Sequence, residues 1–181
     1  MNFQSTILIT PGLGNSGEQH WQTLWEKQFS DFKRIEQKDW DTPVCSDWTK
    51  VIDEVVMQYD PANVILVGHS LACTTIASWA KQYNRKIKGA LLVAPSDTEA
   101  PTYPAGTTGF TPMTLFRLPF PSIVVTSTND YYVTLDRATQ FADAWGSELV
   151  VIGEAGHINV AAGFGEWPAG LEILRRLDNG L

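Results

Sequence analysis

Ser70 stands at the centre of Gly68-His69-Ser70-Leu71-Ala72, directly after the apolar run Val64-Ile65-Leu66-Val67. A strand, a tight turn on serine and a helix start form the pattern of a nucleophile elbow, in which a strained backbone lifts Oγ above the edge of a sheet. Small residues must flank such a turn so that strand and helix can approach closely. Gly68 meets this requirement two residues before Ser70, and Ala72 departs from the G-x-S-x-G form by one methyl group. The competing role for this serine is a helix N-cap.

A serine hydroxyl at its free pKa is a weak nucleophile, so it needs a base, and the base needs an orienting group. His157 is the only histidine after the elbow, in Gly153-Glu154-Ala155-Gly156-His157-Ile158-Asn159. A loop histidine beside glycine makes a poor core residue and a good candidate base. His20 is placed at the start of the first helix, and His69 is the variable elbow residue, pointing away from the turn. Two carboxylates compete for the orienting role. Asp97 lies in Ala94-Pro95-Ser96-Asp97, and Asp130 in Thr126-Ser127-Thr128-Asn129-Asp130-Tyr131-Tyr132-Val133. Both follow strands, and ligands of open α/β sheets bind at the carboxyl ends of strands. Asp130 is favoured because its strand immediately precedes that of the histidine. Asp97 is the alternative acid, or else a turn cap or substrate contact.

Acyl transfer also requires preorganised donors for an oxyanion. The backbone N–H of Leu71, at a helix N-terminus, is one candidate. The N–H of Leu13, in the glycine-rich Thr10-Pro11-Gly12-Leu13-Gly14-Asn15, is the other. As a phosphate loop this segment lacks both the G-K-[ST] ending and the G-x-G-x-x-G spacing. Such chemistry needs no metal or organic cofactor. Cys45 and Cys73, with three histidines far apart in sequence, lack the clustered spacing of a zinc site, and the two cysteines read as free thiols packed as small hydrophobes.

These residues must be positioned by the elements between them. Apolar runs at residues 7–10, 64–67, 90–94, 123–125 and 149–152 read as strands, with a weaker one near 32–36. The continuous apolar character of 64–67 is that of a strand buried on both faces. Helical spacing recurs at Trp21, Leu24, Trp25 and Phe29, at Val51 to Tyr59, at Leu71 to Tyr83, at Leu135 to Trp145, and after Pro168. The alternation predicts an α/β protein with a parallel sheet. Residues 96–121 break it with five prolines and three phenylalanines, and read as an ordered irregular excursion. Leaving the sheet at its carboxyl edge, that segment brings Phe110, Phe116 and Phe120 forward as walls of an acyl pocket or as filling under a loop. Arg117 and Arg137 are candidate anchors for a carboxylate, though lone arginines are usually solvated.

The 181 residues fit one domain, 1–181, with 44% apolar and 18% charged residues, which excludes a disordered chain. A net charge of −7 without a basic run argues against nucleic acid and anionic membranes as partners, and directs attention to small neutral acyl substrates. No apolar run reaches the ~20 residues of a membrane span. The first residues show no basic region followed by a signal-type apolar stretch, so the expected location is cytoplasmic. Oligomeric state is not legible.

The order Ser70, Asp130, His157, each after a strand, is that of α/β hydrolases and not that of the chymotrypsin or subtilisin types. Nearly the whole chain resembles the small serine hydrolases related to retinoblastoma-binding protein nine, which lack a large cap domain. The resemblance rests on the first-strand Pro-Gly loop followed by His20-Trp21, on Gly68-His69-Ser70-Leu71-Ala72, on Asn129-Asp130 with Val133, and on Gly156-His157-Ile158-Asn159. It implies a three-layer α/β-hydrolase fold of about six mostly parallel strands, Ser70, Asp130 and His157 as a triad, and an esterase-like or amidase-like activity. A protein-binding module on the same scaffold is the competing reading, for which Trp40, Trp48 and Trp167 are candidate exposed contacts.

Overall fold

In a computed structural model of the chain, the described residues are 3–181, so the first two residues of the segment read above for a leader lie outside them. Six strands, β1 (Thr6–Thr10), β2 (Lys33–Arg34), β3 (Val64–His69), β4 (Gly89–Val93), β5 (Ser122–Thr126) and β6 (Glu148–Val151), form one sheet in the order β2-β1-β3-β4-β5-β6. Every pairing is parallel. The five helices are α1 (Trp21–Gln28), α2 (Cys45–Val56), α3 (Leu71–Tyr83), α4 (Leu135–Trp145) and α5 (Pro168–Asp178).

The period of two along each strand divides the core into two layers. Leu8, Leu66, Leu92 and Val124 face α2, α3 and α4, packing on Ile52, Ile76, Trp79, Phe141 and Trp145. Ile9, Val67, Val93 and Val125 face α1 and α5, packing on Trp21, Trp25, Leu171 and Leu174. Helices cover both faces, which is why the central strands β3, β4 and β5 are buried at every residue. The edges are short or partly exposed: β2 has two residues, and β6 is only partly buried.

Two boundaries differ from the periodicity. Helix α2 begins at Cys45, six residues before the apolar stripe at Val51, because Cys45, Trp48 and Thr49 already face inward between polar neighbours. Strand β3 runs through Gly68 to His69, pairing with Leu92 and Val93, and stops only where Ser70 turns to φ 57°. Gly68 is a strand residue whose missing side chain matters: a Cβ there would come 2.7 Å from Ile76 Cδ1. That contact sets how closely β3 and α3 approach.

The sheet order reverses at β1, since the chain runs outward to β2 and then returns to β3. The carboxyl ends of β1 and β3 therefore diverge at a topological switch point, where open α/β sheets bind ligands. Buried Gln22 bridges it, its amide donating to Thr10 O at 3.2 Å and Val67 O at 3.1 Å. Among the described residues no helix is long and apolar enough to cross a membrane.

Candidate active site

Ser70 occupies φ 57°, ψ −122°, a conformation a non-glycine residue holds only when its surroundings over-determine it. Its N–H donates to Val93 O at 3.0 Å, and the first turn of α3 starts at the next residue. Oγ thus stands half-exposed at the carboxyl edge of β3, at the switch point.

The loop after β6 brings His157 to it. His157 Nε2 lies 2.9 Å from Ser70 Oγ, and Nδ1 lies 2.8 Å and 3.0 Å from the two carboxylate oxygens of Asp130. The Asp130 side chain is fully buried, and its Oδ1 also accepts the Tyr132 N–H at 2.8 Å. Proton positions follow from these partners. A carboxylate only accepts, so the His157 proton sits on Nδ1 and Nε2 is left as an acceptor for the Ser70 hydroxyl. Ser70 Oγ is 2.7 Å from Ser96 Oγ, and with its own proton directed at His157 it accepts from the Ser96 hydroxyl.

Three successive carbonyls fasten the loop that carries His157. Gly156 O accepts from Ser127 Oγ, His157 O from His69 Nε2 at 2.9 Å, and Ile158 O from Trp21 Nε1 at 2.9 Å. Asn129 Oδ1 accepts the Gly156 N–H at 2.7 Å. Gly156 itself has φ 52°, and a Cβ there would meet Ala162 Cβ at 2.9 Å. Tyr132 packs against the imidazole with ring centroids 4.6 Å apart. The loop that carries His157 is held by α1, by the Ser70 turn and by the loop after β5 together.

The loop after β1 lies directly on the elbow. A Cβ on Gly12 would come 2.7 Å from His69 O, 2.9 Å from Ser70 Cβ and 3.2 Å from Leu71 N. The turn is closed by Asn15 N–H to Gly12 O, and Gly14 N–H donates to Trp40 O. Arg34 fixes its far end through Asn15 Oδ1 at 2.8 Å and Ser16 O at 3.1 Å. Among the described residues, the Leu13 and Leu71 N–H groups donate to no acceptor. Leu13 is in the wall of a cleft of about 190 Å³ lined also by Ser70, His157, His20, Ser96, Tyr103 and Tyr132, and Leu71 directly follows the lining residue Ser70.

All three histidines, distant in sequence, lie in a row with their rings tilted to one another: ring centroids are 4.8 Å apart for His20 and His69, and 4.9 Å for His69 and His157. Burial, reinforced by neighbouring charge, pulls His20 down to about 4 and His69 well below the ordinary imidazole value. Both are neutral rings at pH 7. Among the described residues no group of His, Cys, Asp and Glu is arranged to hold a metal. Cys45 and Cys73 are free and buried, and burial raises both thiols.

Asp97 and the three phenylalanines put forward from sequence for the substrate pocket lie elsewhere. Asp97 is buried in a two-pronged ion pair with Arg137, at 2.8 Å and 3.0 Å, and not beside His157. Arg137 is thereby engaged and no free anchor for a substrate. Phe110 is buried beneath the cleft against Trp48 and Leu71. Phe116 and Phe120 belong to the layer on the α3 and α4 side of the sheet, with Phe120 near Trp79. The irregular segment enters the cleft through Tyr103 and Pro104 instead. Trp48 and Trp167, offered as exposed contacts, are buried, and only Trp40 is partly so.

No local pattern in the sequence marks Ser96, His69, His20 or Tyr103 as cleft residues. The one signal available for Ser96 is its position after β4, beside Asp97. The others are brought in by contacts that no local pattern encodes.

A doubly covered parallel sheet with a serine on a strained strand-to-helix turn at its switch point defines an α/β hydrolase of minimal size. The chain belongs to the serine hydrolase family, which it matches over residues 7–176. It is similar to a YdeN-like hydrolase from Pectobacterium atrosepticum, with 34% identity over 96% of this chain and 90% of that one and a TM-score of 0.84. The ydeN gene product of Bacillus subtilis shares 19% identity over 96% and 98% of the two chains, with a TM-score of 0.82. A butyrate-bound thermophilic esterase, Est2 of Thermogutta terrifontis, has the same fold at 18% identity, covering 97% and 82%, with a TM-score of 0.68. None of the curated proteins is similar to the chain by sequence.

Proposed function

We propose that this hydrolase cleaves short, uncharged carboxylic esters by acyl transfer through Ser70, His157 and Asp130. The observation that carries the reading is the unbroken chain of hydrogen bonds from Asp130 through His157 to Ser70 Oγ. In the first half-reaction His157 Nε2 takes the Ser70 proton as Oγ attacks the ester carbonyl. Asp130 keeps the imidazole in the productive tautomer and stabilises the imidazolium. The N–H groups of Leu13 and Leu71 bind the oxyanion, a type of donor whose loss costs about 2.7–4 kcal/mol of barrier. Collapse expels the alcohol, which receives the proton from His157. Water, deprotonated by His157, then releases the acid and regenerates Ser70.

Esters rank ahead of thioesters and amides on the likeness to an esterase, and the cleft and the charge narrow the acyl group. The cleft is below the ~300 Å³ of drug-sized pockets, which suits a short acyl group. The structurally similar Est2 is an esterase holding butyrate. A net charge of −7 and the lack of a cationic lining favour neutral substrates.

The test is labelling with a fluorophosphonate probe alongside hydrolysis of 4-nitrophenyl butyrate. Ser70→Ala is expected to abolish both, and His157→Ala to reduce both by several orders of magnitude, with the thermal transition retained. Unchanged labelling of Ser70→Ala would remove Ser70 as the nucleophile.

A further inference from the structure

Arg34 belongs to the two-residue edge strand β2, where it pairs with Ile9 of β1. So short a pairing adds little to the sheet, but it places a long side chain beside the loop that leaves β1. That side chain is 13% exposed, and each of its five N–H groups has an acceptor. Nε and one Nη2 N–H grip the Glu26 carboxylate on α1, at 3.0 Å and 2.7 Å. The other Nη2 N–H meets Thr23 Oγ1, also on α1, at 2.7 Å. Both Nη1 N–H groups go to the loop after β1, one to Asn15 Oδ1 at 2.8 Å and one to Ser16 O at 3.1 Å. One guanidinium thus ties that loop to α1, using the planar fork peculiar to arginine.

The tied loop is the one that carries the Leu13 N–H. Residues 12–15 form a tight turn, closed by the Asn15 N–H to Gly12 O at 3.1 Å, with Gly14 at φ 75°. One side of the turn has no slack, since a Cβ on Gly12 would come 2.9 Å from Ser70 Cβ and 3.2 Å from Leu71 N. The Gly14 N–H is taken by Trp40 O at 2.8 Å, which leaves the Leu13 N–H as the free donor of the turn. The other side is held through Asn15, whose Oδ1 accepts from Arg34 and from the Ser16 N–H at 2.7 Å. Asn15 sits at φ 64°, a left-handed conformation that asparagine adopts more readily than most residues. Ser16 O accepts from Thr23 Oγ1 at 2.8 Å as well as from Arg34. Arg34 itself is not in the cleft lining.

Resting on the esterase reading above, we infer that Arg34 is a positioning residue of the oxyanion hole, which holds the Leu13 N–H in register with Ser70 by clamping Asn15 and Ser16 to α1. It touches no reacting atom and acts through geometry. Oxyanion donors work by being aimed before the charge develops, so a displaced donor weakens transition-state binding more than substrate binding. The signature is a fall in kcat with KM held.

Arg34→Met keeps the apolar stem and removes the fork. On 4-nitrophenyl butyrate it is expected to lower kcat by roughly 10- to 100-fold with KM within about twofold, and to slow fluorophosphonate labelling of Ser70 by a similar factor. Asn15→Gly deletes one of the two tethers at a φ that glycine adopts freely, and should give a smaller loss of the same kind. The double variant should be within about twofold of Arg34→Met alone, because the two residues act through one contact. Should Arg34→Met not fold, Asn15→Gly carries the test, and an unchanged kcat there overturns the inference. Asp178→Asn is the stability control: its carboxylate accepts the Gln4 and Ser5 N–H groups at 2.9 Å each, at the opposite, amino end of β1. It should lower the melting temperature and leave kcat unchanged, and a kcat loss equal to that of Arg34→Met would overturn the inference. So would an unchanged kcat in Arg34→Met, a loss confined to KM, or full additivity with Asn15→Gly. A wild type that neither hydrolyses the ester nor is labelled at Ser70 refutes the esterase reading itself.

Discussion

His69 Nε2 donates to the carbonyl oxygen of His157 across 2.9 Å, joining the residue before the serine to the loop that carries the histidine opposite it. The bond links residues 88 apart in sequence and is part-buried within the row of three histidines. Its geometry makes His69 a positioning residue: it touches no reacting atom, yet it sets where the His157 backbone lies.

Replacing His69 with leucine should therefore reduce kcat on 4-nitrophenyl butyrate by roughly 10²-fold with little change in KM, as expected when a base is displaced by about 1 Å. His69→Gln keeps an N–H donor on a side chain of similar reach and should recover most of the loss. Steady-state kinetics of the two variants check this. Equal impairment of both would show that the ring's packing, and not its hydrogen bond, is what matters.

Asp130 and Asp97 should separate cleanly. Asp130→Asn leaves the shape intact but favours the wrong imidazole tautomer, with an expected loss of roughly 10⁴-fold in kcat. Asp97→Asn weakens the pair with Arg137 and should instead lower stability by about 1–3 kcal/mol, with much smaller losses in turnover. Denaturant melts and initial rates on both variants decide it, and a kcat loss for Asp97→Asn as large as for Asp130→Asn would refute the assignment.

Ser96 Oγ lies 2.7 Å from the oxygen proposed as the nucleophile, Ser70 Oγ, and donates to it when the Ser70 proton points at His157. The bond steadies the Ser70 rotamer and favours negative charge as the proton leaves. Ser96→Ala should slow phosphonylation by a fluorophosphonate by roughly 10- to 100-fold, the range for a hydrogen bond to a charged group. An unaltered second-order labelling rate would show that the contact is catalytically idle.

Acid should destabilise the fold through its buried imidazoles. His20 falls from 6.5 to about 4 on folding and His69 falls as well, so below pH 6.5 the unfolded chain binds more protons than the native one. Stability is then full above about pH 6.5 and declines as pH drops towards 4. For His20 the gap amounts to about 3 kcal/mol at ~1.4 kcal/mol per pH unit. Melting temperatures of wild type and His20→Asn between pH 7.5 and 4.5 test this: the variant should show the shallower decline. Parallel curves would mean that His20 does not contribute.

Much of this protein is legible in one dimension because its signals are local. The apolar runs of β1, β3, β4 and β5, the helical stripes of α1, α3 and α4, and the serine turn at Gly68-His69-Ser70 each depend on residues within a few positions. So did the candidacy of Ser70, His157 and Asp130, since each follows a strand and parallel strands bring their carboxyl ends to one edge. What the tertiary structure alone decided depends on register and layer. Which of Asp97 and Asp130 meets His157 and which meets Arg137 is set by packing. Residues 96–121 have no period from which to tell a side chain facing the cleft from one buried beneath it, so the pocket walls are not legible there. Three histidines that looked unrelated along the chain became one row because the sheet order sets β3 beside β1, with α1 and the loop after β6 on the same face. Sequence spacing carries no information about that distance, and packing fixes it.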